Sequence, residues 1–181
     1  MNKKILVISS SPRNGNSDIL CDEFIKGTKE SGNNVEKIRL AEKNIDFART
    51  CETCCKNEVC SCNQKDDVAE IIQKMIDVDV IVLATPTYFY GMAAQLKALI
   101  DRTAERYKEI SNKEFYYIVT AADTRDAAIE RVVDQLKGFT ACCLNNPIEK
   151  GTVYGTGAWQ VGDIRNIKKA LEQTYNFGKN V

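Results

Sequence analysis

Short apolar runs alternate with amphipathic segments along most of the chain, and this alternation constrains the possible folds more than any other feature. The runs at residues 3–8 and 78–84 are typical of strands buried on both faces of a sheet. Segments with apolar residues at helical spacing follow them. We predict strands at 3–8, 35–40, 78–84 and 115–121, with a fifth before residue 154, and helices at 17–31, 67–76, from the end of segment 85–91 to about 107, at 126–137 and at 163–177.

Five strands that alternate with five helices predict a parallel sheet covered by helices on both faces. We therefore expect an α/β fold, a flavodoxin-like three-layer sandwich whose five-stranded parallel sheet has the strand order 2-1-3-4-5. The chain of 181 residues is long enough for one such domain, and no repeat or linker divides residues 1–181. In this order the topological switch point lies between strands one and three, so we expect a ligand at the carboxyl ends of those strands.

The loop after the first predicted strand has the composition of an anion-binding site. Residues 9–17 read Ser-Ser-Ser-Pro-Arg-Asn-Gly-Asn-Ser and lead into a helix. Unpaired N–H groups and the positive end of the helix dipole meet at such a junction, which suits a phosphate monoester, and Arg13 adds a bidentate contact to oxyanions. The alternative is an ordinary turn in which Ser17 caps the helix.

The loop after the third predicted strand, residues 85–91, suits a flat ring. Pro86 stiffens the turn, and Gly91 is expected to let the backbone approach a ligand closely. Tyr88, Phe89 and Tyr90 can wall a planar ring system. The alternative is a hydrophobic turn that covers the sheet edge. Taken together, the two loops predict a planar cofactor that carries one phosphate.

These loops resemble those of the NADPH-dependent FMN reductases. The resemblance extends to Gln95-Leu96-Lys97, Ile100-Asp101-Arg102, Asp66-Asp67 and Gly162-Asp163-Ile164. It implies noncovalently bound FMN, with NAD(P)H as co-substrate. The implied phosphate ligands are Ser11, Arg13, Asn16 and Ser17. The implied isoalloxazine contacts are Pro86, Thr87, Tyr88, Phe89, Tyr90 and Gly91, with Ala122 in a further loop that lacks the family's glycines.

The composition excludes several classes of function. Histidine is absent, which excludes serine–histidine and cysteine–histidine catalysis and histidine-ligated metals. A flavin supplies its own redox chemistry, so we assign no catalytic side chain. Lys plus Arg equals Asp plus Glu at 25 each, which gives no general attraction to nucleic acid or to an acidic membrane. The first apolar run is too short for a signal peptide or a membrane span, so we expect a cytoplasmic protein.

A second resemblance concerns five cysteines within residues 51–62. In the iron-sulfur flavoproteins a compact cysteine motif after the second strand holds a cubane cluster, and Cys51-x-x-Cys54 matches its first step. Asn57 stands where the third cysteine would come, so the segment could hold a cluster, zinc or nothing, and we assign no metal ligand. The candidate thiols are Cys51, Cys54, Cys55, Cys60 and Cys62. Cys21 is expected in the core, and Cys142 and Cys143 are expected to pack near the fifth strand.

Three functional hypotheses follow from these observations. The first is an NAD(P)H-dependent FMN oxidoreductase that reduces a small acceptor such as a quinone, a flavin or a nitroaromatic compound. The second is an electron carrier that exchanges electrons with a ferredoxin through a cysteine-held cluster. A flavodoxin-like interaction module without cofactor is a third, colourless class. The family resemblance further implies a homodimer or tetramer.

Overall fold

The computed structural model describes residues 2–49 and 64–181 of the chain. Within these residues the elements alternate as the sequence predicts. The strands are β1 (Lys4–Ser9), β2 (Asn34–Arg39), β3 (Val80–Tyr88), β4 (Gly91–Met92), β5 (Glu114–Thr120) and β6 (Ile148–Gly155). The helices are α1 (Asn16–Glu30), α2 (Val68–Asp77), α3 (Ala94–Arg102), α4 (Asp126–Cys143) and α5 (Lys168–Lys179).

The sheet has the predicted parallel core. Its order is β2-β1-β3-β5-β6, and all neighbours on this path are parallel. Without β4, a two-residue strand that pairs antiparallel with the end of β3, this is the predicted order 2-1-3-4-5. The chain reverses its direction of progress between β1 and β3, so the topological switch point lies where the sequence placed it.

The strands are covered on both faces, which confirms the three-layer architecture. Along β1, Leu6 and Ile8 enter one core and Ile5 and Val7 enter the other, as the two-residue period of a strand requires. The first core is completed by α2, α3 and α4, and the second by α1 and α5. Cys21 lies in the second core and is fully buried, as predicted. No helix in the described ranges is both long enough and apolar enough to cross a bilayer.

The structure corrects two predicted helix ends. The third helix stops at Arg102 instead of near residue 107, because the Thr103 hydroxyl donates to the Ile100 carbonyl and the chain continues in short 3₁₀ turns. The fourth helix does not end at residue 137 as predicted, but passes through Gly138 and continues to Cys143. Cys142 and Cys143 are therefore exposed at the end of α4 and do not pack near the last strand.

The described ends that flank residues 50–63 are held together. The Asp67 N–H donates to the Asn44 carbonyl at 3.0 Å, and the Asn44 N–H donates to the Asp67 carboxylate at 2.7 Å. Asp66 pairs with Arg102, and both side chains are almost fully buried. Burial alone would raise the pKa of Asp66, but hydrogen bonds from Arg102 and from backbone N–H groups outweigh it and hold this pKa below its ordinary value. The predicted cysteine candidates at 51–62 lie outside the described residues.

Two glycines allow α1 and α5 to pack closely. A Cβ atom on Gly27 would lie 2.2 Å from the Tyr175 carbonyl oxygen, and one on Gly178 would lie 2.0 Å from the Phe24 carbonyl oxygen. Both obstacles are backbone atoms, which cannot swing aside as a side chain can. Gly138 in α4, by contrast, has no atom within 4 Å of such a Cβ.

We therefore expect opposite effects from the same substitution at different glycines. Gly27→Ala or Gly178→Ala should lower the free energy of unfolding by about 1–3 kcal/mol, because the helices must move apart. Gly138→Ala should raise it by about 0.5–1 kcal/mol through helix propensity. Denaturant unfolding followed by circular dichroism measures both. Equal effects at Gly27 and Gly138 would show that the helix contact is looser than described.

Candidate functional site

A cavity of about 580 Å³ lies at the carboxyl ends of β1, β3 and β5. It includes nine of the residues predicted for the site, namely Ser11, Arg13, Asn16, Ser17, Pro86, Thr87, Tyr88, Phe89 and Ala122. The sequence analysis missed four other lining residues, which are Thr120, Ala121, Ala158 and Trp159. The structure thus brings the two predicted loops to one place and adds a wall from the segment after β6.

The loop after β1 leaves several donors for an anion. Gly15 is the N-cap of α1, and no side chain caps the helix. The N–H groups of the first turn have no acceptors within a helix, so they remain for a ligand. Ser17 lies inside the helix, so the prediction that it could be the cap is wrong. The Ser11 hydroxyl donates to the Arg13 carbonyl at 2.7 Å, which fixes the turn before the helix.

Arg13 is exposed, but one hydrogen bond restrains it. Its Nη2 donates to the Trp159 carbonyl at 3.0 Å. A guanidinium carries five N–H donors, so most of them stay available to a phosphate. An arginine already held in place loses less side-chain entropy when it binds.

Asn16 and Ser17 line the cavity, but their side chains already have partners. The Asn16 amide donates to the carbonyls of Ala158 and Gln160 at 3.1 and 2.8 Å. Its oxygen accepts the N–H groups of Gly162 and Ile164 at 3.0 and 3.3 Å. The Ser17 hydroxyl is 2.7 Å from the Thr120 hydroxyl. Asn16 therefore supports the neighbouring loop, and its side chain has no free donor for the phosphate contact that the family resemblance implies.

The segment after β6 is held at several points by backbone and side-chain hydrogen bonds. Its Ala158 N–H donates to the Ala121 carbonyl at 2.9 Å. The Asp163 carboxylate accepts the N–H groups of Trp159 and Gln160 at 3.0 and 2.6 Å. The only sequence signal of this wall is the family resemblance of Gly162-Asp163-Ile164. The residues that hold the segment from outside, Asn16 and Ala121, lie far away along the chain.

The predicted ring loop is the end of β3 and a hairpin. Phe89 and Tyr90 have φ angles of 49° and 61°, and Tyr88 pairs with Gly91 across them, so they form a two-residue turn with two left-handed residues. Asn-Gly is the usual sequence for such a turn, and two aromatic residues are strained there. Phe89 is fully exposed and lines the cavity.

Tyr90 and Gly91 do not line the cavity, which corrects their predicted placement. The turn directs Tyr90 toward α4, where its hydroxyl accepts from Arg125 at 3.2 Å and its ring lies 5.4 Å from the Arg131 guanidinium carbon. A Cβ atom on Gly91 would meet the Tyr88 carbonyl oxygen at 3.5 Å and the Gln135 side chain beyond it. Gly91 therefore faces the chain's own backbone and α4.

The walls of the cavity fit a planar group that carries a phosphate. One end offers Arg13 and the start of α1, and the other offers Pro86, Tyr88 and Phe89. The Thr87 Oγ1 atom is buried and has no hydrogen-bond partner within the described residues. Such an unpaired buried group costs about 1–3 kcal/mol.

Comparison with known proteins finds similarity in sequence or in fold along nearly the whole chain. The family model of the NADPH-dependent FMN reductases matches residues 3–160. An iron-sulfur flavoprotein of Methanocaldococcus jannaschii is 33% identical over 98% of this chain and 95% of its own length. The NAD(P)H:quinone oxidoreductase of Methanothermobacter marburgensis superposes with a TM-score of 0.79 at 18% identity, over 99% of this chain and 96% of that one. The FMN complex of an FMN-dependent NADH-azoreductase of Bacillus anthracis superposes with a TM-score of 0.73 at 14% identity, over 98% of each chain.

The strained turn gives a test of stability. Phe89→Asn should raise the free energy of unfolding by about 1 kcal/mol, because asparagine tolerates the left-handed conformation and the exposed ring contributes little packing. Phe47→Asn is the control, since Phe47 is 76% exposed and has no positive φ. We expect it to change the unfolding free energy by less than about 0.5 kcal/mol. A destabilised Phe89→Asn protein would mean that the turn is not strained.

Proposed function

This chain belongs to the NADPH-dependent FMN reductase family and is a flavin oxidoreductase, and we propose that it transfers electrons from NAD(P)H through bound FMN to a small acceptor. The acceptor class that we propose is a quinone, a free flavin or a nitroaromatic compound. The observation that carries the proposal is a cavity at the switch point, with donors for a phosphate at one end and aromatic side chains at the other.

The proposal gives each end of the cavity a separate task. Arg13 and the first-turn N–H groups of α1 bind the phosphate, and Asn16 keeps that end in position through the segment after β6. Pro86, Tyr88 and Phe89 contact the ring system. When bound, FMN supplies a site that accepts a hydride and holds the electrons until the acceptor arrives. Neither a carboxylate nor a thiol is among the described lining residues.

The electron carrier with a cysteine-held cluster is the second candidate. It is favoured by the similarity to an iron-sulfur flavoprotein over 98% of the chain. Against it, Asn57 interrupts the cysteine motif. Within residues 2–49 and 64–181 no group of three or more side chains could hold a metal ion, and the candidate cysteines lie outside those ranges. We therefore assign no step to a cluster, and a ferredoxin partner and a homodimer or tetramer stay predictions.

Anaerobic spectroscopy separates the two candidates. For the enzyme, NADPH or NADH should bleach the flavin absorption of FMN-loaded protein, and a quinone or nitroaromatic compound should restore it over repeated turnovers. For the carrier, anaerobic protein should contain about four irons with sulfide, and only a reduced ferredoxin should bleach it. Cys54→Ser should then remove the iron and leave the flavin. Full FMN without iron or sulfide would eliminate the carrier, and protein that binds no FMN would overturn both proposals.

Arg13→Ala should weaken FMN binding by about 1.5–3 kcal/mol, because it removes a charge-assisted contact to the phosphate. Riboflavin has no phosphate, so its affinity should barely change. Arg106→Ala is the matched control, since Arg106 pairs with Glu109 and does not line the cavity. Titration of the apoprotein with each flavin measures the affinities. An equal loss for FMN and riboflavin would mean that Arg13 does not bind the phosphate.

A further inference from the structure

Trp159 combines a fixed backbone with an exposed side chain. Its N–H donates to the Asp163 carboxylate, and its carbonyl accepts from Arg13. The residues on either side of it are bonded to Asn16. Its side chain is nevertheless 68% exposed and lines the cavity. A large apolar ring on a fixed backbone beside a cavity is available to contact a ligand in that cavity.

The position of Trp159 shows which part of a ligand it can meet. Its carbonyl is bonded to Arg13 at the phosphate end, and the preceding residue, Ala158, is bonded to Ala121 at the end of β5. The indole therefore belongs to a wall that connects the phosphate loop with the loop after β5. An indole presents a wide apolar face and only one N–H donor, so it suits the organic part of a ligand better than its charged end.

We propose that Trp159 is a cofactor-contacting residue whose indole packs against the ring or the ribityl chain of the flavin and raises its affinity. This inference rests on the proposed function, because it takes the cavity to be the FMN site. It adds the segment after β6 to the ring and phosphate contacts that the sequence predicts. It also explains why so many hydrogen bonds fix a backbone whose side chain has few contacts of its own.

The chain offers a direct optical test, because Trp159 is its only tryptophan. Titration of the apoprotein with FMN or with riboflavin should quench most of the tryptophan fluorescence in step with binding. Trp159→Ala should weaken both flavins about tenfold, as measured by equilibrium dialysis, since an aromatic contact contributes up to about that factor. Trp159→Phe should keep both affinities within about threefold of those of the wild-type protein. This pattern differs from that of Arg13→Ala, which should affect FMN alone.

Phe47→Ala is the matched control, because it removes an exposed aromatic ring that does not line the cavity. It should leave both affinities unchanged, and thermal unfolding should show that Trp159→Ala folds normally, since the bonds of Trp159 are to its backbone. If the wild-type protein binds no FMN, the proposed function fails. If it binds FMN but Trp159→Ala binds both flavins equally well, or if binding leaves the fluorescence unquenched, this inference alone fails.

Discussion

The four hydrogen bonds of the Asn16 side chain join the start of α1 to the segment after β6, and the geometry of the cavity depends on them. Each such bond contributes about 0.5–1.5 kcal/mol, and the loss of Asn16 would also leave buried partners unpaired. The same connection brings the Trp159 carbonyl within reach of Arg13. The phosphate end of the cavity and the segment that carries Trp159 are thus parts of one hydrogen-bonded unit. The first residue of a helix acts here as a structural link more than as a ligand.

The sequence predicts those parts of the structure that depend on local signals. The apolar runs of β1 and β3 and the composition of the loops after them were sufficient to locate the crevice, because strand periodicity and loop residues are readable within a few positions. Trp159 and the role of Asn16 could not be predicted, since their contacts join residues more than 140 positions apart. The turn at Phe89 and Tyr90 was missed because it lacks the usual Asn-Gly sequence. The fourth helix runs past its predicted end at residue 137 and through Gly138, because tertiary packing can outweigh the low helix propensity of glycine.

Strain and exposure occur together at the cavity. The turn before β4 places an exposed phenylalanine in a left-handed conformation, although asparagine or glycine would serve the hairpin better. Its neighbour Tyr90 is fixed against α4 by Arg125 and Arg131, so the turn is braced from behind. Backbone strain persists where the surrounding structure enforces it, and it is found mainly at functional sites. The turn therefore lowers the stability of the chain, and the exposed Phe89 ring gains no packing within the described part of the chain in return.

Local charge, and not the net charge of the chain, prepares the anion site. The chain has no net charge, and the carboxylate of Asp18 is buried in the first turn of α1, where it would repel a phosphate. Lys37 and Arg39 lie 3.0 and 3.4 Å from that carboxylate and balance it. Burial alone would lower the pKa of Lys37, but its hydrogen bonds to Asp22 and Asp18 outweigh burial and raise this pKa, so Lys37 stays charged. Because Lys37 and Arg39 balance the charge of Asp18, the positive helix N-terminus and Arg13 face the cavity without opposition. A small positive region of this kind is sufficient for a single phosphate.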